Sequence, residues 1–389
     1  MLRISRILAP VLALAVLVGI VGIWDRLTTG DLNLNYGSYV PWGLWVGLYV
    51  YLVGMSGGAF SVAFLHHGLG IIALRRASGY AIPIALASLG AGLFLVLMDL
   101  GQLSRFWHLY TRTNFGSPLG LMIWVYTLYA GVLVAMLVAM ARGSRGLLKP
   151  LSIAGFALVL VFGGGEGALF GVLSSKPLWN SGLLPIRFLA GAFLSGAAIV
   201  TFAVVAFRRW SADPEEHEAL GLLRLALLLL LGTNIVLEFT ETSVALYGGV
   251  PTLVEAHRLI IFGPYWWVFW IVQIGMGLVL PAIVLGTRLG ASRPWLGAAS
   301  LLIAVGLAGA KQNIVLPALA IPEFRSLPEA FVHPRLSITY FPSGTEWAVA
   351  LGVVAAAALA FVVAIEVLPF LKEARSWGTG TLHDQRRVL

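Results

Sequence analysis

Residues 43–65 read GLWVGLYVYLVGMSGGAFSVAFL, a run without a single Asp, Glu, Lys or Arg. At about 1.5 Å of helical rise per residue, such a run crosses a hydrocarbon core roughly 30 Å thick. Comparable runs recur along the whole chain, and ten crossings are expected, at about 7–24, 43–65, 80–101, 118–141, 151–171, 184–207, 219–245, 265–287, 296–317 and 346–370. Composition agrees. Of 389 residues 59% are hydrophobic and only 11% charged, with 20 Phe, 13 Trp and 45 Gly, and the mean hydropathy is +0.92. Soluble domains lie nearer one-half apolar. The expected fold is an all-α integral membrane protein without a soluble domain, since the longest connection, about 318–345, is under 30 residues.

The first run follows MLRISR and lacks a clear small-x-small cleavage site, so it is expected to remain as an uncleaved anchor. Lys and Arg then sort by side. Fifteen (Arg3, Arg6, Arg75, Arg76, Arg142, Arg145, Lys149, Arg208, Arg209, Arg288, Arg293, Lys372, Arg375, Arg386 and Arg387) share one side, and seven (Arg26, Arg105, Arg112, Lys176, Arg258, Arg325 and Arg335) the other. The basic side is expected to be cytoplasmic, with both termini there, in a prokaryotic cytoplasmic membrane. Anionic lipid of the inner leaflet accounts for the net charge of +8, and no nucleic acid is needed. The chain has no cysteine, which excludes disulfides, thiolate-held iron-sulfur clusters and cysteine nucleophiles within it.

Ionisable side chains inside a membrane are costly and usually face a bundle interior or a wet cavity. Counted from the cytoplasmic ends, Asp99, Glu166, Glu238, Glu241 and Lys311 all fall toward the outer ends of their runs, and Arg187 enters from that side. Only Arg224 lies near the inner entrance. The outer connections are also the long ones, dense in aromatics and proline, as in SRFWHLYTRTNFGSP at 104–118. A polar cavity opening toward the outer face is expected.

The histidines do not suit an intramembrane haem: His66 and His67 lie at an inner helix end, His108, His257 and His333 in outer loops, His217 and His383 in cytoplasmic segments. No metal-ligand spacing is present on any one helix, so no metal site is expected. Gly54 and Gly58 read as helix-packing glycines. A carboxylate pair with a nearby His and Arg in an aromatic pocket suits a flat apolar molecule whose two oxygens gain and lose protons, such as a quinone. His108 or Tyr49 could hold one oxygen, and Glu166 or Asp99 could exchange the proton. The same inventory suits a secondary transporter with an outward-facing polar site.

The runs NYGSYVPWGLWVGLYVYLVGMSGGAF, DLGQLSRFWHLY with NFGSPLG, KPLWNSGLLPIRFL and YFPSGTEW, in this order, resemble the NrfD-like family of membrane subunits. That family includes the polysulfide reductase membrane subunit, the HybB-type subunit of the type-2 uptake hydrogenase and the DsrP-type subunits. The resemblance spans about 33–370. It implies a quinone- or menaquinone-reactive subunit of a respiratory oxidoreductase complex, holding neither haem nor iron-sulfur cluster itself. It also implies two four-helix bundles plus flanking helices: 1–42 an anchor helix and outer loop, 43–175 the first bundle with the quinone site, 176–317 the second, and 318–389 a loop, the last crossing and a cytoplasmic tail. The implied partners are a ferredoxin-like [4Fe-4S] subunit on the outer face, a further catalytic or multihaem cytochrome subunit, and the lipid bilayer. Tyr49 falls where the polysulfide reductase subunit has a quinone-liganding His, and Glu166 close to a position that is Tyr there. Asp99, Arg105, His108, Pro177, Trp179 and Asn180 match family features more directly, and Glu346 matches a carboxylate expected to be structural. The site implied has Glu166, His108 and Asp99 exchanging protons, with Tyr49, Arg105, Trp179 and Asn180 around the quinone. Arg105 would pair with a carboxylate or balance charge on the half-reduced ring. Glu238, Glu241 and Lys311 would form an ion network or a vestigial proton path in the second bundle.

Overall fold

The computed structural model of the chain describes residues 2–207, 214–322 and 336–368, together with 326, 330 and 333. Arg208, Arg209, Arg325, Arg335, Lys372, Arg375, Arg386 and Arg387 of the charge count, and His383, lie outside the described residues. Among the described residues every regular element is helical, and ten helices are long and apolar enough to span a membrane. This is a multi-pass integral membrane protein.

In chain order the helices are α1 (Leu2–Thr29), α2 (Leu44–His67), α3 (Arg75–Asp99), a short α4 (His108–Thr111), α5 (Pro118–Ala141), α6 (Arg145–Gly171), α7 (Leu184–Phe207), α8 (Pro214–Tyr247) and α9 (Pro251–Ile261). A π-helix, Val268–Val279, then runs into α10 (Leu280–Gly286), followed by α11 (Arg293–Leu319) and α12 (Gly344–Val367). The ten expected crossings are all present, with shifted ends. The first extends to Thr29 rather than 24, because Asp25 and Arg26 find polar partners: Asp25 accepts from Asn33 at 2.8 Å, and Arg26 pairs with Asp31 at 2.8 Å. The eighth is a π-helix joined to an α-helix, a register that apolar periodicity does not announce; it returns to α at Pro281, whose missing N–H commits to neither pattern.

Helix contacts close into two rings. α2 packs on α3 and α6, and α5 touches both α3 and α6; α7, α8, the π-helix with α10, and α11 close the second ring in the same order. The rings join where α2 meets α7 and α11. Gly58 and Gly196 make the α2–α7 crossing possible, since a Cβ on either would run into the backbone of the other helix. α1 and α12 pair through Gly19 and Gly352, and α12 packs on α3. In lipid the gain from such contacts is close packing rather than hydrophobic burial, so small residues at crossings set how near the helices come.

Most membrane-embedded charge sits toward one end of the bundle, where the connections 30–43, 100–117, 172–183, 248–267 and 320–343 lie. At the opposite end half-buried Arg224 donates to the carbonyls of Leu285 (2.7 and 2.9 Å) and Thr287 (2.8 Å) and so caps α10. Arg26 does the same at the long-loop end, donating to Met98 O and Leu100 O at 3.0 Å beyond the last turn of α3.

Candidate functional site: a tyrosine–glutamate chain beside an ion cluster

Three helices of the first ring each place one polar side chain at nearly the same depth. Tyr49 lies five residues into α2, Tyr126 eight into α5, and Glu166 five before the end of α6, or about 7 to 12 Å in from the long-loop end. The Tyr126 hydroxyl donates to Glu166 Oε1 at 2.7 Å, and the Tyr49 and Tyr126 hydroxyls lie 2.9 Å apart. Glu166 is 5% exposed and Tyr126 is buried, while Tyr49, at the other end of the chain from Glu166, is half-buried. Phe162, one turn before Glu166, packs edge-on against Tyr126 and fixes the ring that carries the middle hydroxyl. A carboxylate so deep, held by a phenol and by no cation in direct contact, can take up or release a proton without breaking an ion pair.

The matching level of the second ring is built differently. Glu238 and Glu241, three residues apart on one face of α8, both accept from the guanidinium of Arg187 on α7. Lys311, on α11, places Nζ 3.4 Å from the centre of the Phe188 ring. It is 7% exposed and is an electrostatic neighbour of Glu166, Arg187 and Glu241. Asn313 Nδ2 donates to Gln273 Oε1 at 2.7 Å, bridging α11 and the π-helix. A narrow cavity of mixed lining, with Lys311, Arg187, Glu238, Asn234, Gln273 and Tyr51 as its larger polar groups, has room for about two waters. A second cavity, on the other side of the Arg187 pair, is bordered by Glu241, His257 and Asn313.

A third polar group ties the loops down. Glu346, fully buried, accepts from the Tyr340 hydroxyl and from Asn35 N at 2.8 Å, while its own carbonyl accepts from Trp45 Nε1 at 2.9 Å. Tyr340 Oη accepts in turn from Leu44 N at 2.7 Å, at the first turn of α2. Burial, reinforced by Glu346, pushes the Tyr340 phenol far above its ordinary range; burial and then Asp99 do the same to Tyr36. Both stay protonated, Tyr340 as the donor to Glu346, whereas the Tyr36 hydroxyl is buried and unbonded among the described residues. Ser343 caps α12 by accepting from Glu346 N at 3.2 Å.

Of the seven residues singled out in the sequence, Tyr49 and Glu166 come together through Tyr126. Asp99 faces Arg26, Asp31 and Glu346 instead, on the side of α1 and α12, with Oδ1 buried and unbonded. Arg105 is exposed on the turn after α3 and forms no ion pair among the described residues. His108 stacks beside Trp107, ring centres 4.0 Å apart. Trp179 is buried, stacked on Trp42 and donating to Ile314 O at 2.7 Å. Asn180, next to it, is exposed. Sequence reasoning missed Tyr126 and the pairing of Arg187 with both Glu238 and Glu241. The three-residue spacing of the two glutamates was a usable signal; a tyrosine within WVYTLYAG was not, because tyrosines in apolar helices more often pack than relay protons.

Residues 33–323 match the family described as Polysulphide reductase, NrfD. The chain belongs to the NrfD family. Its relatives include a selenate reductase subunit of Mesobacillus selenatarsenatis, 30% identical with 94% of each protein covered. The Hdr-like menaquinol oxidoreductase integral membrane subunit of Archaeoglobus fulgidus is 26% identical, with 90% of this chain and 91% of that one covered. A polysulfide reductase chain of Wolinella succinogenes is 27% identical, over 65% of this protein and 87% of its own length. In this NrfD-family protein the match covers both rings, so the tyrosine–glutamate chain and the ion cluster lie inside the shared region.

Proposed function

We propose that the chain is the quinone-reactive membrane subunit of a respiratory oxidoreductase complex, with its head-group site at Tyr49, Tyr126 and Glu166. The hydrogen-bonded chain from half-buried Tyr49 to buried Glu166 carries the reading. The relatives are named as subunits of reductases and a menaquinol oxidoreductase, which supports a redox role and leaves the transporter reading without support.

Oxidation of a quinol releases two electrons and two protons. A quinol hydroxyl at Tyr49 gives its proton to the phenol oxygen while Tyr49 passes its own to Tyr126 and Tyr126 to Glu166, which becomes a carboxylic acid; quinone reduction runs the same shifts backwards. The apolar walls keep bulk water from the oxygens. Electrons pass to or from an iron-sulfur partner docked on the long-loop end, read as the outer face of a prokaryotic cytoplasmic membrane with both termini inside. Exposed Arg105 and Asn180 and the Trp107–His108 pair belong to that docking surface, Trp179 to the wall of the site, and Asp99 to the bracing of the loops. The first ring, 43–175, is then the redox unit, and the second, 176–317, supports it.

The test is Glu166→Gln in the complete complex purified from membranes. Unchanged co-purification with its partners and a fall of about 100-fold in quinol turnover are expected. Full turnover in an assembled variant would remove Glu166 from the proton path.

A further inference from the structure

Lys311 is the feature that the site does not yet explain. It is a buried amine whose contact is a ring face, and among the described residues it makes neither hydrogen bond nor ion pair. It does not stand at the closed back of a helix packing: it lines the cavity that also holds Arg187, Glu238 and Asn234. Gly191, opposite, has no side chain to fill that space. Arg187 is committed to its charge by two carboxylates, whereas nothing in contact with Lys311 commits it in that way, and a lysine, unlike an arginine, can give up its proton.

The titratable and charged groups around it come from four helices: Tyr51 of α2, Glu166 of α6, Arg187 of α7, and Glu238 and Glu241 of α8. The two α8 carboxylates are already engaged by Arg187. Glu166 is the one carboxylate of this set that no cation touches, and it sits at the inner end of the tyrosine chain. Among the described residues no ion pair joins it to Lys311, its electrostatic neighbour, so a proton passing between them needs a bridging water.

We propose that Lys311, supplied by the second ring, carries the proton of the quinone site from Glu166 into the cavity that it lines with Arg187, Glu238 and Asn234. The inference rests on the quinone reading given above. In quinol oxidation the protonated Glu166 loses its O–H proton, through a water, to the neutral amine of Lys311, which restores the carboxylate and leaves an ammonium. The ammonium N–H proton then passes to a cavity water and the amine is regenerated. This happens twice per quinol, while its two electrons leave to the iron-sulfur partner. Lys311 touches no substrate; it acts through Glu166. The second ring then has a role in turnover beyond support, and the two rings work as one site.

Two variants of the full complex separate this role from a structural one. Lys311→Arg keeps the charge and the cavity contact but does not give up its proton in the working range, and Lys311→Met removes the charge at similar length. Both are expected to lower kcat for quinol oxidation by about 100-fold with KM for quinol unchanged, and to remove from the acid limb of the kcat–pH profile the ionisation that Lys311 contributes. Wild-type kcat across pH in Lys311→Arg would overturn the proposal, provided Glu166→Gln is inactive. Wild-type turnover in both Glu166→Gln and Lys311→Arg would instead bring down the quinone site itself. Should neither lysine variant assemble, the unmodified complex decides: two ionisations on the acid limb of its kcat–pH profile support the relay, and a single one overturns it.

Discussion

Glu166 in the first ring and the Glu238–Glu241 pair in the second lie at the same end of the membrane, at similar depth, and are held by opposite means. Glu166 receives one neutral phenol and has no cation in contact. The α8 pair is clamped by a guanidinium. A carboxylate satisfied by a neutral donor can change its protonation at small cost, whereas one in a buried ion pair is committed to its charge, since neutralising it strands the partner. Burial alone therefore does not mark a working carboxylate; the identity of what it touches does.

That contrast can be broken by experiment. Arg187→Leu leaves two carboxylates facing each other without a counter-charge and is expected to destabilise the protein by about 3–5 kcal/mol, read as a large drop in apparent melting temperature of the purified complex; an unchanged melt would mean the clamp is not structural. Tyr126→Phe cuts the phenol link but keeps the ring packing. It is expected to slow quinol turnover about 100-fold, near 2.7 kcal/mol of barrier, with melting almost unaltered, and normal turnover would mean that Glu166 is reached by another path. Gly196→Val pushes α2 and α7 apart at their crossing, with an expected loss of about 1–3 kcal/mol in the same melt. Asn313→Ala, which leaves Gln273 Oε1 without its donor, is expected to cost about 1 kcal/mol with quinol turnover unchanged, the turnover separating this pair, which stabilises, from Tyr126 and Glu166, which react.

The crossings were legible because lipid imposes a simple rule: every span must be apolar over a fixed length, and hydropathy shows this directly. The ends were less so. Arg26 continues α1 past its apolar stretch because it finds the carbonyls at the end of α3, partners far away in sequence. The short helices α4 and α9 and the π-helix were not legible either, since each is stabilised by what packs on it. Of the site, Glu166 was found as a carboxylate at an expensive depth, and Tyr49 as a candidate donor to which the family resemblance pointed. Tyr126 was not, and Asp99, the last residue of α3, faces Arg26, Asp31 and Glu346 on the side of α1 and α12.

By itself the sequence determined that this is a ten-span membrane protein with its charge gathered at one end, because the transfer of each residue into hydrocarbon depends on its own chemistry and on position along one helix. Only the tertiary structure decided which carboxylate meets a phenol and which meets an arginine. That choice depends on helix rotation and on glycine-set crossings such as Gly58 with Gly196, where residues distant in the chain determine each other's place.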